Sequence, residues 1–154
     1  MLEQWSKHGG FDLKIKATGD VEIDAHHLVE DLGIVIGQAL KEAVGDKRGI
    51  ARYGFFIAPM DEVLALCAVD FCGRAYLQLD WNLTQEKIGD FDVALTKEFF
   101  VALASNAKIN LHVKELSGGN AHHVIEASFK AMAKAMRNAL TVCGDDLPST
   151  KGVL

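Results

Sequence analysis

The sequence predicts an α+β fold built from two pseudo-symmetric sheet-plus-helix halves. Three observations carry that expectation. A short pattern occurs twice, as His26-His27-Leu28-Val29-Glu30 and as His122-His123-Val124-Ile125-Glu126. Each copy opens a stretch with apolar residues at helical spacing, after a segment of alternating character. Three further strand-like runs lie between the copies, separated by turn residues. Residues 1–154 read as a single unit with an internal repeat, the first half over about 1–90 and the second over 91–154.

In order along the chain, residues 11–15 (FDLKI) alternate as a strand would, Gly19-Asp20 reads as a turn, and residues 21–23 extend again. Asp24 stands where a helix N-cap belongs, just before the first histidine pair. Apolar residues at 28, 32, 35, 36, 39, 40 and 43 then define a helix, which Gly45 ends. Strands are expected at residues 52–58, 63–71 and 74–81. Pro59-Met60-Asp61 and Cys72-Gly73 serve as turns, which makes the three a meander. The second half repeats the order: a helix-like run at 99–104, a strand at 109–113, a turn at Ser117-Gly118-Gly119-Asn120 with Asn120 as cap, and a final helix with apolar residues at 125, 129, 132, 136, 139 and 140. The tail from Leu147 to Leu154 is polar and has no core of its own. His112 falls on a strand and reads as a residue of the sheet surface.

Composition excludes several functions. Nearly half the residues are apolar (49%), enough for a sizeable core. The net charge is −5 with no basic cluster, which argues against a nucleic-acid partner. No apolar run reaches membrane-spanning length, and the opening Met1-Leu2-Glu3-Gln4-Trp5 is not a signal peptide. Cys67, Cys72 and Cys143 form no C-x-x-C pair, so they are expected as reduced thiols in a cytoplasmic protein and not as a zinc site.

The repeated pattern points to metal. On a helix, positions i and i+4 share a face, so His26 with Glu30, and His122 with Glu126, can each aim an imidazole and a carboxylate at one ion. His27 and His123 point about a quarter-turn away and can serve a second ion. The chain has six histidines, and these two pairs hold four of them. Nitrogen and oxygen donors suit manganese, zinc, iron or nickel, and ligand type alone does not choose among them. The order also differs from His-Glu-x-x-His, in which the glutamate is a base and not a ligand.

The residues around both copies resemble a known family. The run from Gly19-Asp20 through Ile23-Asp24-Ala25-His26-His27-Leu28-Val29-Glu30-Asp31 is similar to the first signature of imidazoleglycerol-phosphate dehydratases. Asn120-Ala121-His122-His123-Val124-Ile125-Glu126-Ala127-Ser128-Phe129-Lys130-Ala131 is similar to the second. Gly45-Asp46-Lys47-Arg48-Gly49-Ile50, Pro59-Met60-Asp61-Glu62 and the ending from Leu147 to Leu154 extend the likeness over the whole chain.

The resemblance implies halves like the second domain of ribosomal protein S5. It also implies a cytoplasmic lyase of histidine biosynthesis that dehydrates imidazole glycerol phosphate to imidazole acetol phosphate. Such enzymes form 24-subunit shells whose active sites, shared between subunits, hold two manganese ions. The ligand positions carry over to His26, His27, Glu30, His122, His123 and Glu126. Glu98 stands at a seventh position, where the family has histidine. Glu30 and Glu126 are the carboxylates assigned to catalysis. Substrate binding is assigned to His8, Arg52, Arg74, Lys130, Ser149 and Lys151, of which the cations and Ser149 suit a phosphate. The implied chemistry begins with metal favouring the deprotonated substrate imidazole. The ring expels the neighbouring hydroxyl as water, a base takes the adjacent carbon-bound proton, and the resulting enol becomes the ketone.

The family also carries several tens of residues before the position of Met1, with an acidic substrate-site residue and a histidine ligand among them. Both are expected to be missing from residues 1–154, leaving an exposed sheet edge. The alternative expectation is therefore a non-catalytic, metal-bound oligomeric remnant of the same family.

Overall fold

The computed structural model describes residues 1–154. Helix α1 spans Leu2–Gly9 and α2 spans His26–Val44. Strands β1 (Tyr53–Met60), β2 (Val63–Asp70) and β3 (Tyr76–Asp80) follow, then a small hairpin of β4 (Lys87–Ile88) and β5 (Phe91–Asp92). Helix α3 (Ala94–Ala107), strand β6 (Asn110–Ser117) and helix α4 (Ala121–Ala139) complete the chain. The α+β expectation is borne out. So are both histidine-initiated helices, the helix around residues 99–104 and the strand that begins near 109.

The helix ends follow local chemistry. The Asn120 side chain accepts from His122 N–H at 2.8 Å and caps α4. Asp24 Oδ1 accepts from His26 N–H at 2.8 Å at the start of α2, and Gly45, at φ 61°, ends that helix. Helix α1 ends on Gly10 and α3 on Lys108, both left-handed. The two shorter helices thus stop in the same way, one in each half.

The sheet order is β1-β2-β6-β3. Strands β1 and β2 pair antiparallel, β2 and β6 pair antiparallel, and β3 runs parallel to β6. The expected meander is therefore corrected: β6 inserts between β2 and β3. Alternation tells which face of a strand is buried, but not which strand lies beside it. Pro59 and Met60 lie inside β1, and the turn is confined to Asp61-Glu62. One sheet face is covered by α4. Val63, Ala65, Cys67 and Val69 of β2 and Leu111 and Val113 of β6 are buried, as are Ile125, Met132 and Met136 of α4. His112 lies on the other, exposed face, its ring 5.5 Å from that of Tyr76.

Residues 11–15 and 21–23 are not strands. The first segment alternates as expected, with Phe11 and Leu13 packed against the core, yet no strand lies beside it to complete a ladder. Residues 21–23 form a turn instead, in which Ile23 N–H donates to Asp20 O at 2.9 Å. Helix α2 packs on α3 through Gly33 and Gly37. A Cβ at Gly33 would sit 2.7 Å from Ala102 Cβ, and one at Gly37 would sit 2.8 Å from Asn106 Cβ. The opposite side of α2 faces residues 11–18 across an apolar cleft of about 980 Å³, lined by Leu28, Leu32, Val35 and Leu40 among others. No helix is long and apolar enough to cross a membrane.

Candidate metal and substrate site

The site is assembled at the first turn of α4, where the helix meets the β1–β2 turn. Helical geometry places His122 Nε2 3.1 Å from Glu126 Oε2. Lys130, one turn further on, brings Nζ to 2.7 Å from Glu126 Oε1. The Lys130 ammonium, and after it His122, hold the Glu126 carboxyl below the usual range, so this group is an anion suited to a cation.

His123 points the other way, towards Glu62. Its Nδ1 lies 3.0 Å from Oε2 and 3.2 Å from Oε1. Glu62 Oε1 also accepts from Asn120 N–H at 2.8 Å. The Asn120 amide, and then His123, lower the Glu62 carboxyl to about 2. An ionised carboxylate only accepts, so His123 donates from Nδ1, and Nε2 is the ring nitrogen that Glu62 does not engage. Asp61, Glu62 and His123 offer ligand atoms that lie within 4.8 Å of one another. The repeat drew attention to the histidines, whereas Asp61 and Glu62 entered only as part of the longer resemblance. Their signal is a pair of acids in a tight turn, a common surface feature.

The first half is looser. His26 and His27 begin α2 with ring centroids 6.0 Å apart. His27 Nδ1 stands 3.9 Å from Asp20 Oδ2, with side-chain exposures of 75% and 49%. No hydrogen bond joins His26 to Glu30, and none of His26, His27, Glu30 or Glu98 belongs to a three-donor group within one chain. At α4, His122 and Glu126 bring an imidazole nitrogen and a carboxylate oxygen together on one helix face, donor types that suit a divalent cation, while the three-donor group in the chain is Asp61, Glu62 and His123. The α2 set offers the same donor types without convergence inside the chain.

The expected substrate residues are dispersed. His8 sits 3.2 Å from Gln4 Oε1 on α1. Arg52 is largely enclosed: Nε and Nη2 donate to Asp70 at 2.7 and 3.1 Å, and Nη1 donates to Pro148 O at 2.8 Å. The Asp70 carboxylate raises the Arg52 pKa. Arg52 therefore ties the tail to the sheet. Within that tail Ser149 Oγ donates to Val153 O at 2.8 Å and accepts from Lys151 N–H at 3.2 Å. Arg74 and Lys151 are exposed.

The architecture defines an α+β class of protein with histidine–carboxylate pairs at the start of two helices. A model of the imidazoleglycerol-phosphate dehydratase family matches residues 1–136. An imidazoleglycerol-phosphate dehydratase of Desulforamulus reducens is 52% identical over 158 residues, covering 100% of this chain and 80% of that protein. One from Lachnoclostridium phytofermentans is 53% identical, covering 100% of this chain and 76% of its own length. Among solved structures, the Staphylococcus aureus enzyme is 47% identical with a TM-score of 0.85 over 92% of this chain and 80% of that one. The Pyrococcus furiosus IGPD, in complex with (S)-C348, is 40% identical with a TM-score of 0.88 over 99% and 83%. The chain belongs to the imidazoleglycerol-phosphate dehydratase family, a family of hydro-lyases.

Proposed function

We propose that this chain is a metal-dependent lyase of histidine biosynthesis, cytoplasmic, that converts imidazole glycerol phosphate to imidazole acetol phosphate. The observation that carries the proposal is the pairing of His122 Nε2 with Glu126 on one face of α4, with a second imidazole, His123, at the same helix turn held by Glu62. Manganese is the preferred occupant, two ions per site, held by His26, His27, Glu30, Glu98, His122, His123 and Glu126. When bound, such ions supply Lewis acidity that favours the anionic form of the substrate ring.

The chain's own groups have separable tasks. Glu126 and its repeat partner Glu30 act as the metal-site carboxylates and hold positive charge. Lys130, Arg74, Ser149 and Lys151 bind the phosphate end, with Arg52 holding the tail that carries the last two. His8 contacts substrate from α1. Because α2's donors do not converge within one chain, the complete site is formed by self-association, with α2 of one copy facing α4 of another in a large homo-oligomer of 24 subunits. The open first half favours a second reading, a metal-bound oligomer without turnover.

The test is direct. The purified chain, supplied with manganese and imidazole glycerol phosphate, is assayed for the ketone. Ketone formation that needs the ion supports the lyase. An assembled, metal-loaded particle without turnover supports the second reading. Turnover unchanged by chelation overturns the metal-dependent reading.

A further inference from the structure

We propose that Glu62 is a positioning residue for His123, fixing its imidazole so that Nε2 is the nitrogen presented to the site. This rests on the metal-site reading above. Glu62 stands in the β1–β2 turn, 61 residues from its histidine partner in sequence. Four contacts converge on it. His123 Nδ1–H and Asn120 N–H donate to its carboxylate, and Ser117 Oγ donates to its backbone carbonyl at 3.2 Å. Gly119 lies against its side chain so closely that a Cβ there would collide with the carboxylate. The loop before α4 is thus shaped around Glu62.

A ligand role for Glu62 competes with this one, because Asp61, Glu62 and His123 are near enough to share an ion. Geometry favours positioning. Oε1 accepts from Asn120 N–H, and both oxygens lie within hydrogen-bond distance of His123 Nδ1. An ion on Nδ1 would have to displace the proton that Nδ1 donates to Glu62. An ion on Nε2 uses the ring as Glu62 already holds it. A metal-ligating histidine commonly donates its second N–H to a carboxylate, which fixes the tautomer and raises the ligand's basicity. In the first half, His27 has only exposed Asp20 at 3.9 Å. The two halves therefore share ligand types but not this support.

The test is a double-substitution cycle on the full chain: Glu62→Gln, His123→Gln and both together, read as manganese affinity by equilibrium dialysis. Glu62→Gln is expected to weaken binding about 10–100-fold, the usual effect of removing such a partner. Added to His123→Gln, it is expected to weaken binding no further. Losses that multiply would overturn the proposal, since Glu62 would then act independently of His123, and so would an unchanged affinity in Glu62→Gln. A second readout needs no metal. Solid-state spectra of the isotope-labelled imidazole nitrogens in metal-free protein, assigned through His123→Gln, are expected to show His123 protonated at Nδ1, with that preference lost in Glu62→Ala, which leaves no acceptor there. A tautomer indifferent to Glu62 overturns the proposal. If the unsubstituted chain binds no metal, the metal-site reading fails, while the tautomer spectra still decide whether Glu62 orients His123.

Discussion

Replacing Asp70 by alanine should cost about 3 kcal/mol of folding stability, and the structure supplies the reasons. Arg52 and Asp70 form a two-pronged pair at 2.7 and 3.1 Å, with side chains only 11% and 19% exposed. Asp70→Ala leaves a largely enclosed guanidinium with one remaining acceptor, Pro148 O. Breaking a buried pair from one side typically costs about 3–5 kcal/mol, and the low end suits a pair near the tail's edge. Backbone groups hold Arg52 in place: its N–H donates to Ala139 O at 2.8 Å, and its carbonyl accepts from Phe71 N–H at 3.1 Å. About 3 kcal/mol is roughly a 150-fold change in the folding equilibrium. Urea denaturation followed by circular dichroism would measure it. Limited proteolysis within residues 147–154 should accelerate as the Pro148 anchor loosens. Replacing both partners together, Arg52→Met with Asp70→Leu, should cost less than Asp70→Ala alone because no unpaired charge remains. A cost under about 1 kcal/mol for Asp70→Ala would put the pair in the solvated class and refute the reasoning.

Other consequences are equally open to measurement. Phe100 is fully buried, with ring centroids 5.7 Å from Trp81 and 5.0 Å from Phe129, so Phe100→Ala should lose about 3–5 kcal/mol in the same denaturation assay. Gly37→Val should lose about 1–3 kcal/mol by forcing α2 off α3, whereas Gly45→Ala, with nothing within 4 Å of its added Cβ, should show only the backbone penalty of φ 61°. For Glu62 the folded carboxyl lies below the unfolded one, so its stabilisation is complete above the ordinary glutamate value of 4.5 and lost as pH falls through about 2. Stability of metal-free Glu62→Gln should accordingly vary less with pH across that window than the parent's does. If metal binds as proposed, protons compete with the ion for the ligating imidazoles, so bound manganese should be released in acid, and metal content constant into strong acid would contradict that.

Much of this protein was legible along the chain. The i, i+4 pairing of His122 with Glu126 follows from helix geometry alone, as does the reach of Lys130 to Glu126, because each contact spans only one turn. Capping by Asn120, the stop at Gly45 and the burial of one face of α4 are local as well. Residues 11–15 show the limit. Their alternation is genuine, but a strand needs a neighbour, and the structure places none there. The order β1-β2-β6-β3 was equally hidden, since the alternation within β3 is the same beside β2 or beside β6.

The sequence by itself determined α2 and α4, the Asn120 cap, the stop at Gly45 and the donor-bearing faces, because those depend on residues a few positions apart, whereas α1 and the full extent of α3 were not legible in it. Only the tertiary structure decided that Glu62 meets His123, that Arg52 clasps Asp70 and the tail, and that the α2 donors do not converge inside one chain. Contacts across 61 and 96 residues depend on how sheet and helices pack, and no local spacing records that.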